Sequence, residues 1–208
     1  MAKIFRVSAR AGVAHVVEPV ARGLLRLGVS PNTVTVAGTV GVLVGALGFV
    51  ARGHLLVGAL VIGFFVVTDM LDGAMARLGA GSTRFGAFLD SSMDRVADGA
   101  IFGAVAFWLA TQQDRWGMVA ALLCLVAGQV VSYVKARAEG LGMTCDVGLV
   151  ERPERLIMIG VGGLITGGFG VPWGLTAVLW MLAALSVVTV GQRVHHVYRQ
   201  SQSTGQDG

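Results

Sequence analysis

Residues 69–98 read DMLDGAMARLGAGSTRFGAFLDSSMDRVAD, a polar stretch set between two apolar ones, LLVGALVIGFFVVT at 55–68 and GAIFGAVAFWLA at 99–110. Asp69 and Asp72 stand at i, i+3 and Asp90 and Asp94 at i, i+4, so on helices each pair shares one face. Neither flanking run is long enough to cross a bilayer alone. Both become so if the polar stretch is partly helical and partly embedded. Further apolar runs lie at 33–51, 117–134, 156–170 and 175–190, each bounded by charge, Gly or Pro. The pattern predicts an all-α integral membrane protein with six transmembrane helices. A chain of 208 residues, 54% hydrophobic and 13% charged, holds one such domain and little else. That composition excludes disorder, a coiled coil and a disulfide-built secreted module. Cys124 and Cys145 have no spaced Cys or His partners and read as free thiols.

Charge placement gives the orientation. Of the 16 Lys and Arg residues, only Arg52 and Arg115 fall outside the two termini and the second and fourth connections. By the positive-inside rule both termini and the polar stretch face the cytoplasm. Residues 1–30 carry Lys3, Arg6, Arg10, Arg22 and Arg26 between short apolar patches, with no cleavable leader pattern. They read as a cytosolic arm forming an amphipathic juxtamembrane helix. The membrane domain is expected over 31–199, with a polar, disordered tail at 200–208.

Four carboxylates at the edge of a bilayer need compensation. One Asp at a span centre costs ~3 kcal/mol on insertion scales, and like charges raise each other's pKa. Arg77 and Arg95 are near in sequence, but an all-oxygen ligand set suits two Mg²⁺ ions, with Mn²⁺ as the alternative. Bridged ions of that kind clamp a phosphoanhydride and polarise an attacking hydroxyl. Gly73 and Gly86 leave space for a phosphate or a neighbouring helix. Asp98 continues the i+4 series and is weighted toward a structural role.

The pattern Asp69-x-x-Asp72-Gly73-x-x-Ala76-Arg77, then eight residues, then Gly86-x-x-x-Asp90-x-x-x-Asp94 resembles the complete signature of the CDP-alcohol phosphotransferases. The resemblance implies a six-helix membrane enzyme, usually a homodimer, that transfers a phosphatidyl group from a CDP-linked lipid to an alcohol and releases CMP. It implies that Asp69, Asp72, Asp90 and Asp94 hold the metals, that Asp94 also takes the acceptor's proton, and that Gly73, Arg77 and Thr83, or its neighbour Ser82, contact the nucleotide. The segment Ser30-Pro31-Asn32-Thr33-Val34-Thr35 is similar to the Pro-Asn-x-x-Thr segment of many members, where it borders the cytidine. Pro31, Asn32, Thr33 and Val34 are therefore candidate CDP-diacylglycerol contacts. The competing reading is a helix start capped by Ser30 or Asn32.

The fourth connection and the start of the tail gather cations, which suits a phosphorylated acceptor better than an uncharged alcohol. SYVKARAEGLG at 132–142 and VERPERL at 150–156 resemble the prokaryotic branch of the family that uses inositol 1-phosphate and makes phosphatidylinositol phosphate. Carried over, Ser132, Lys135, Arg155 and Arg193 bind the acceptor phosphate, with Arg152 a weaker candidate. The resemblance implies a bacterial plasma-membrane location with a cytoplasmic active site. The same signature also serves glycerol 3-phosphate as acceptor. A cation transporter using the acids as an ion path is the reading from another class, and it leaves Gly73 and Arg77 without a role. Nothing points to nucleic acid.

Overall fold

A computed structural model describes residues 17–79, 81 and 83–204, leaving the side chains of Asp69, Met70, Ser203 and Thr204 outside that description. Lys3, Arg6 and Arg10, together with Ser82 and residues 205–208, also lie outside it. Every regular element among the described residues is helical. Residues 17–26 form α1, followed by α2 (Pro31–Leu43), α3 (Leu55–Leu78), α4 (Arg84–Thr111), α5 (Arg115–Glu139), α6 (Arg152–Gly167) and α7 (Gly174–Thr204). Helix α2 continues through a π-helical stretch, Val44–Phe49, and a 3₁₀ turn, Val50–Arg52. Gly53, at φ +85°, takes the left-handed conformation that turns the chain into α3.

Two compact units emerge, one from residues up to Gly45 with Leu60–Ala97, the other from Ala46–Ala59 with Asp98 onward. In the first, Ala21 of α1 packs on Ala74 and Met75 of α3, with Val17, Leu24, Leu25, Val29 and Val34 around them. Arg22 and Arg26 lie on the exposed side of α1. Helices α2 and α3 approach closely because Gly41 has no side chain; a Cβ there would sit 2.3 Å from the Phe65 ring. In the second unit α7 packs on both α5 and α6. Asp114 caps α5 by accepting from Gly117 N at 2.8 Å.

Among the described residues four helices are long and apolar enough to cross a membrane: Pro31–Arg52, Leu55–Leu78, Arg115–Glu139 and Gly174–Gln202. The other two expected spans fall in α4 and α6. At 16 residues, α6 rises about 24 Å, short of a hydrocarbon core of about 30 Å. Helix α4 has 28 residues, but Asp90, Asp94, Arg95 and Asp98 crowd its first half. The expected disordered tail from residue 200 begins too early. Helix α7 runs through Thr204, and Gln200 is tied to Thr144, donating to its carbonyl at 2.7 Å and accepting from its backbone N–H at 3.2 Å.

Candidate active site

Four of the seven expected donor-binding residues, Pro31, Asn32, Gly73 and Thr83, meet where α2 begins, α3 ends and α4 begins. Ser30 caps α2, its Oγ accepting from Thr33 N at 3.2 Å and lying 2.8 Å from Thr33 Oγ1, with Pro31 in the first turn. Thr83 does the same for α4, accepting from Gly86 N at 2.9 Å. Between these starts lies a cavity of about 590 Å³. Pro31, Asn32, Gly73, Thr83 and the carboxylates Asp72 and Asp90 border it. Gly86 keeps it narrow at one side, where an added Cβ would come within 3.2 Å of Asn32 Oδ1.

Three expected donor contacts stand elsewhere. Thr33 is exposed and its hydroxyl lies 2.8 Å from Ser30 Oγ, the cap of α2. Val34 turns into the apolar cluster around Ala74. Arg77 is exposed and does not border the cavity, although its Nη1 lies 3.5 Å from where a Gly73 side chain would begin. Thr35, outside the expected donor set, is buried and borders the cavity. Its hydroxyl lies 3.2 Å from the Pro31 carbonyl and is hydrogen-bonded to Asp72 Oδ2. The readable signal is its i+4 spacing from Pro31, which puts both on one face.

Asp72 is only 8% exposed, and its second oxygen accepts from Gly73 N. Asp90 is partly buried on the cavity wall. Asp94, one turn on, is partly buried, pairs with Arg95 at 3.7 Å and does not border the cavity. Asp69 lies in α3, but its side chain is outside the described residues.

The expected acceptor residues belong to α5, α6 and α7 and the connection at 140–151. Lys135 Nζ lies 2.5 Å from Asp146 Oδ1 and 3.9 Å from Glu139. That ammonium holds the Asp146 carboxyl below the usual carboxylate range. Ser132 Oγ donates back to Gly128 O at 3.1 Å. Arg155 is 1% exposed, and its Nη2 lies 2.5 Å from Asp98 Oδ2, while Arg152 Nε lies 3.3 Å from Asp98 Oδ1. The absent side chain of Gly128 makes room, since a Cβ there would be 3.2 Å from the Arg155 guanidinium carbon. Arg155 Nε and Nη1 are buried with no hydrogen-bond partner among the described residues. Arg193 is equally buried but fully engaged: Nη1 donates to Val131 O at 2.7 Å, Nε to Val147 O at 2.8 Å and Nη2 to Glu151 at 3.0 Å. Its geometry is that of a strut between backbone segments.

A family model described as CDP-alcohol phosphatidyltransferase matches residues 28–192. The chain belongs to this family. Among members of the CDP-alcohol phosphatidyltransferase family it is 50% identical to the phosphatidylinositol phosphate synthase of Mycobacteroides abscessus over 188 residues, 88% of this chain and 84% of that protein. It is 48% identical to the Mycobacterium tuberculosis phosphatidylinositol phosphate synthase over 192 residues, 91% and 88% of the two chains. A crystal structure of the M. tuberculosis protein with CDP-DAG bound resembles this one with a TM-score of 0.85, covering 89% of this chain and 94% of that one at 48% identity. A second, in complex with manganese and citrate, gives 0.84 at 49% identity, covering 88% of each.

The cavity's chemistry fits a divalent ion. Two carboxylates, one of them largely buried, border it, and no Lys or Arg does among the described residues. Hard oxygen donors gathered at one wall are what Mg²⁺ and Mn²⁺ use. Among the described residues no group of three or more His, Cys, Asp and Glu side chains is gathered to hold an ion, and the side chain of Asp69 lies outside them.

Proposed function

We propose that this family member transfers the phosphatidyl group of CDP-diacylglycerol to inositol 1-phosphate and releases CMP. The carrying observation is the 590 Å³ cavity in which Asp72, Gly73 and Asp90 of the family signature meet Pro31 and Asn32. Support comes from relatives near 50% identity named phosphatidylinositol phosphate synthase, one of them crystallised with CDP-DAG.

In this reading Pro31, Asn32, Gly73 and Thr83 border the nucleotide, and Arg77 reaches its diphosphate from the rim. Asp69, Asp72, Asp90 and Asp94 are the ligands for two Mg²⁺ ions, with Mn²⁺ able to replace them. When bound, these ions neutralise the diphosphate and draw charge from the leaving group. Thr35 fixes the Asp72 carboxylate through its hydroxyl. Asp94 accepts the proton of an inositol hydroxyl as that oxygen bonds to the phosphatidyl phosphorus, and the bond from that phosphorus to the CMP oxygen breaks. The unpartnered Nε and Nη1 nitrogens of Arg155, with Lys135 and Ser132, hold the acceptor phosphate. Arg193 supports that pocket from behind.

The membrane arrangement follows the same reading. Helices α4 and α6 complete six spans, with the α4 carboxylates at the membrane edge facing the cytoplasm and both termini on that side. The arm at 1–30 lies on the membrane surface, and the active form is a homodimer in the bacterial plasma membrane.

The test is CMP release by purified protein in detergent with CDP-diacylglycerol and Mg²⁺, comparing inositol 1-phosphate, inositol, glycerol 3-phosphate and serine. Release with inositol 1-phosphate alone is the expected result. Release with glycerol 3-phosphate alone keeps the donor site and overturns the acceptor, and silence with all four overturns the transferase reading.

A further inference from the structure

One stripe of α7 does more hydrogen bonding than any role assigned so far requires. Thr189, Arg193 and Gln200 recur on a single helical face, and each is bonded to the connection between α5 and α6. Thr189 is fully buried. Its Oγ1 accepts from Leu149 N and Val150 N, both at 3.2 Å, and donates to Leu185 O at 2.9 Å. Arg193 holds Val147 and Glu151, and Gln200 holds Thr144. Gly148 sits against Thr189 at φ +142°, and a Cβ on it would meet Thr189 Cγ2 at 2.6 Å. The connection is therefore blocked from moving inward. Lifting away would strip two backbone N–H groups of their acceptor, one of them buried.

What this connection carries is the acceptor chemistry. Asp146, inside it, fixes Lys135. Glu151, at its end, opens α6 and accepts from the Arg155 backbone N–H at 3.1 Å. Every residue from 147 to 151 except Gly148 is thus either bonded to α7 or leads directly into a bond that is. A threonine suits this place because its methyl packs on Gly148 while its hydroxyl serves both N–H groups. Valine fills the same volume with no acceptor, and serine keeps the acceptor without the methyl.

We propose that Thr189 is a positioning residue for the acceptor phosphate: its hydroxyl sets the 147–151 backbone, and through it the start of α6 and Arg155. This rests on the acceptor reading given under Proposed function. The test measures KM for inositol 1-phosphate at saturating CDP-diacylglycerol, and the reverse, in full-length Thr189→Val and Thr189→Ser. The expected result is a rise of about tenfold in the acceptor KM for Thr189→Val, an unchanged donor KM, and restoration in Thr189→Ser. An unchanged acceptor KM, equal rises in both KM values, a lowered melting temperature alone, or Thr189→Ser behaving like Thr189→Val overturns the proposal. Where Thr189→Val does not fold, Thr189→Ala takes its place with the same outcomes. A wild-type protein active only with glycerol 3-phosphate refutes the inositol assignment, and the KM comparison is then made with that acceptor and decides the role of Thr189 on the same terms.

Discussion

Around the start of α4, Asp72 and Asp90 border a cavity with no basic side chain on its wall among the described residues. In α5 to α7 the arrangement differs, because the expected acceptor cations already have anions: Lys135 has Asp146, Arg152 and Arg155 share Asp98, and Arg193 has Glu151. The first region sets like-charged oxygen donors side by side, the ligand type that a divalent ion uses. The second pairs its cations within the chain, with two arginines on one aspartate, because an unpaired buried guanidinium is costly. The lesson is that a motif of like charges advertises a ligand site in sequence, whereas a site of opposite charges is hidden by its own pairing. An arriving phosphate in the second region has only the spare N–H groups of Arg155 and whatever it wins from the resident carboxylates.

The largest effect expected from this contrast is on turnover. Asp90→Asn should lower CMP release by roughly a thousandfold or more, while the melting temperature in detergent stays near that of the wild type. Loss of folding in step with activity would mean the carboxylate is a structural group like those of the second region. The next effect is on stability. Asp98→Asn leaves Arg155 buried without its counter-charge and should cost about 3–5 kcal/mol in denaturant unfolding, and Arg155→Met added to it should recover much of that loss. A cost of well under about 1 kcal/mol, the range of exposed pairs, would remove the distinction between the two regions.

The smallest effect concerns the exposed end of the second region. Lys135 lowers the Asp146 carboxyl below its ordinary value, so the pair's contribution is present above the unfolded carboxylate range and is lost as pH falls through the folded value. The small melting-temperature gap between wild type and Asp146→Asn should therefore be the same at pH 7 and pH 5 and close only in stronger acid. A gap that closes between pH 7 and pH 5 would show that Asp146 is not held ionised by Lys135.

The all-helical architecture and the carboxylate wall of the cavity were legible because both depend on short-range spacing. Apolar runs bounded by charge give the helices, and the i, i+3 and i, i+4 acids with Gly73 give one wall of the cavity. Thr33 and Val34 were harder to place, since a capping segment spends some of its residues on the helix start and some on the core. The acceptor region resisted reading for a different reason. Asp98 and Arg155 are 57 residues apart, and Arg193 and Val131 are 62 apart. No local pattern tells which arginine becomes a strut and which keeps spare donors. Thr189 is invisible to motif reading, as its role exists only once the 147–151 backbone is laid against α7. The helical extension to Thr204 likewise depends on Gln200 finding Thr144, 56 residues away.

The most direct measurement is the pair of Michaelis constants, for CDP-diacylglycerol and for inositol 1-phosphate, in Lys135→Ala and in Asn32→Ala. The proposed assignment of Asn32 to the donor and Lys135 to the acceptor predicts that Lys135→Ala raises only the acceptor KM, by about tenfold or more, and that Asn32→Ala raises only the donor KM. Equal rises in both constants for either variant would contradict it.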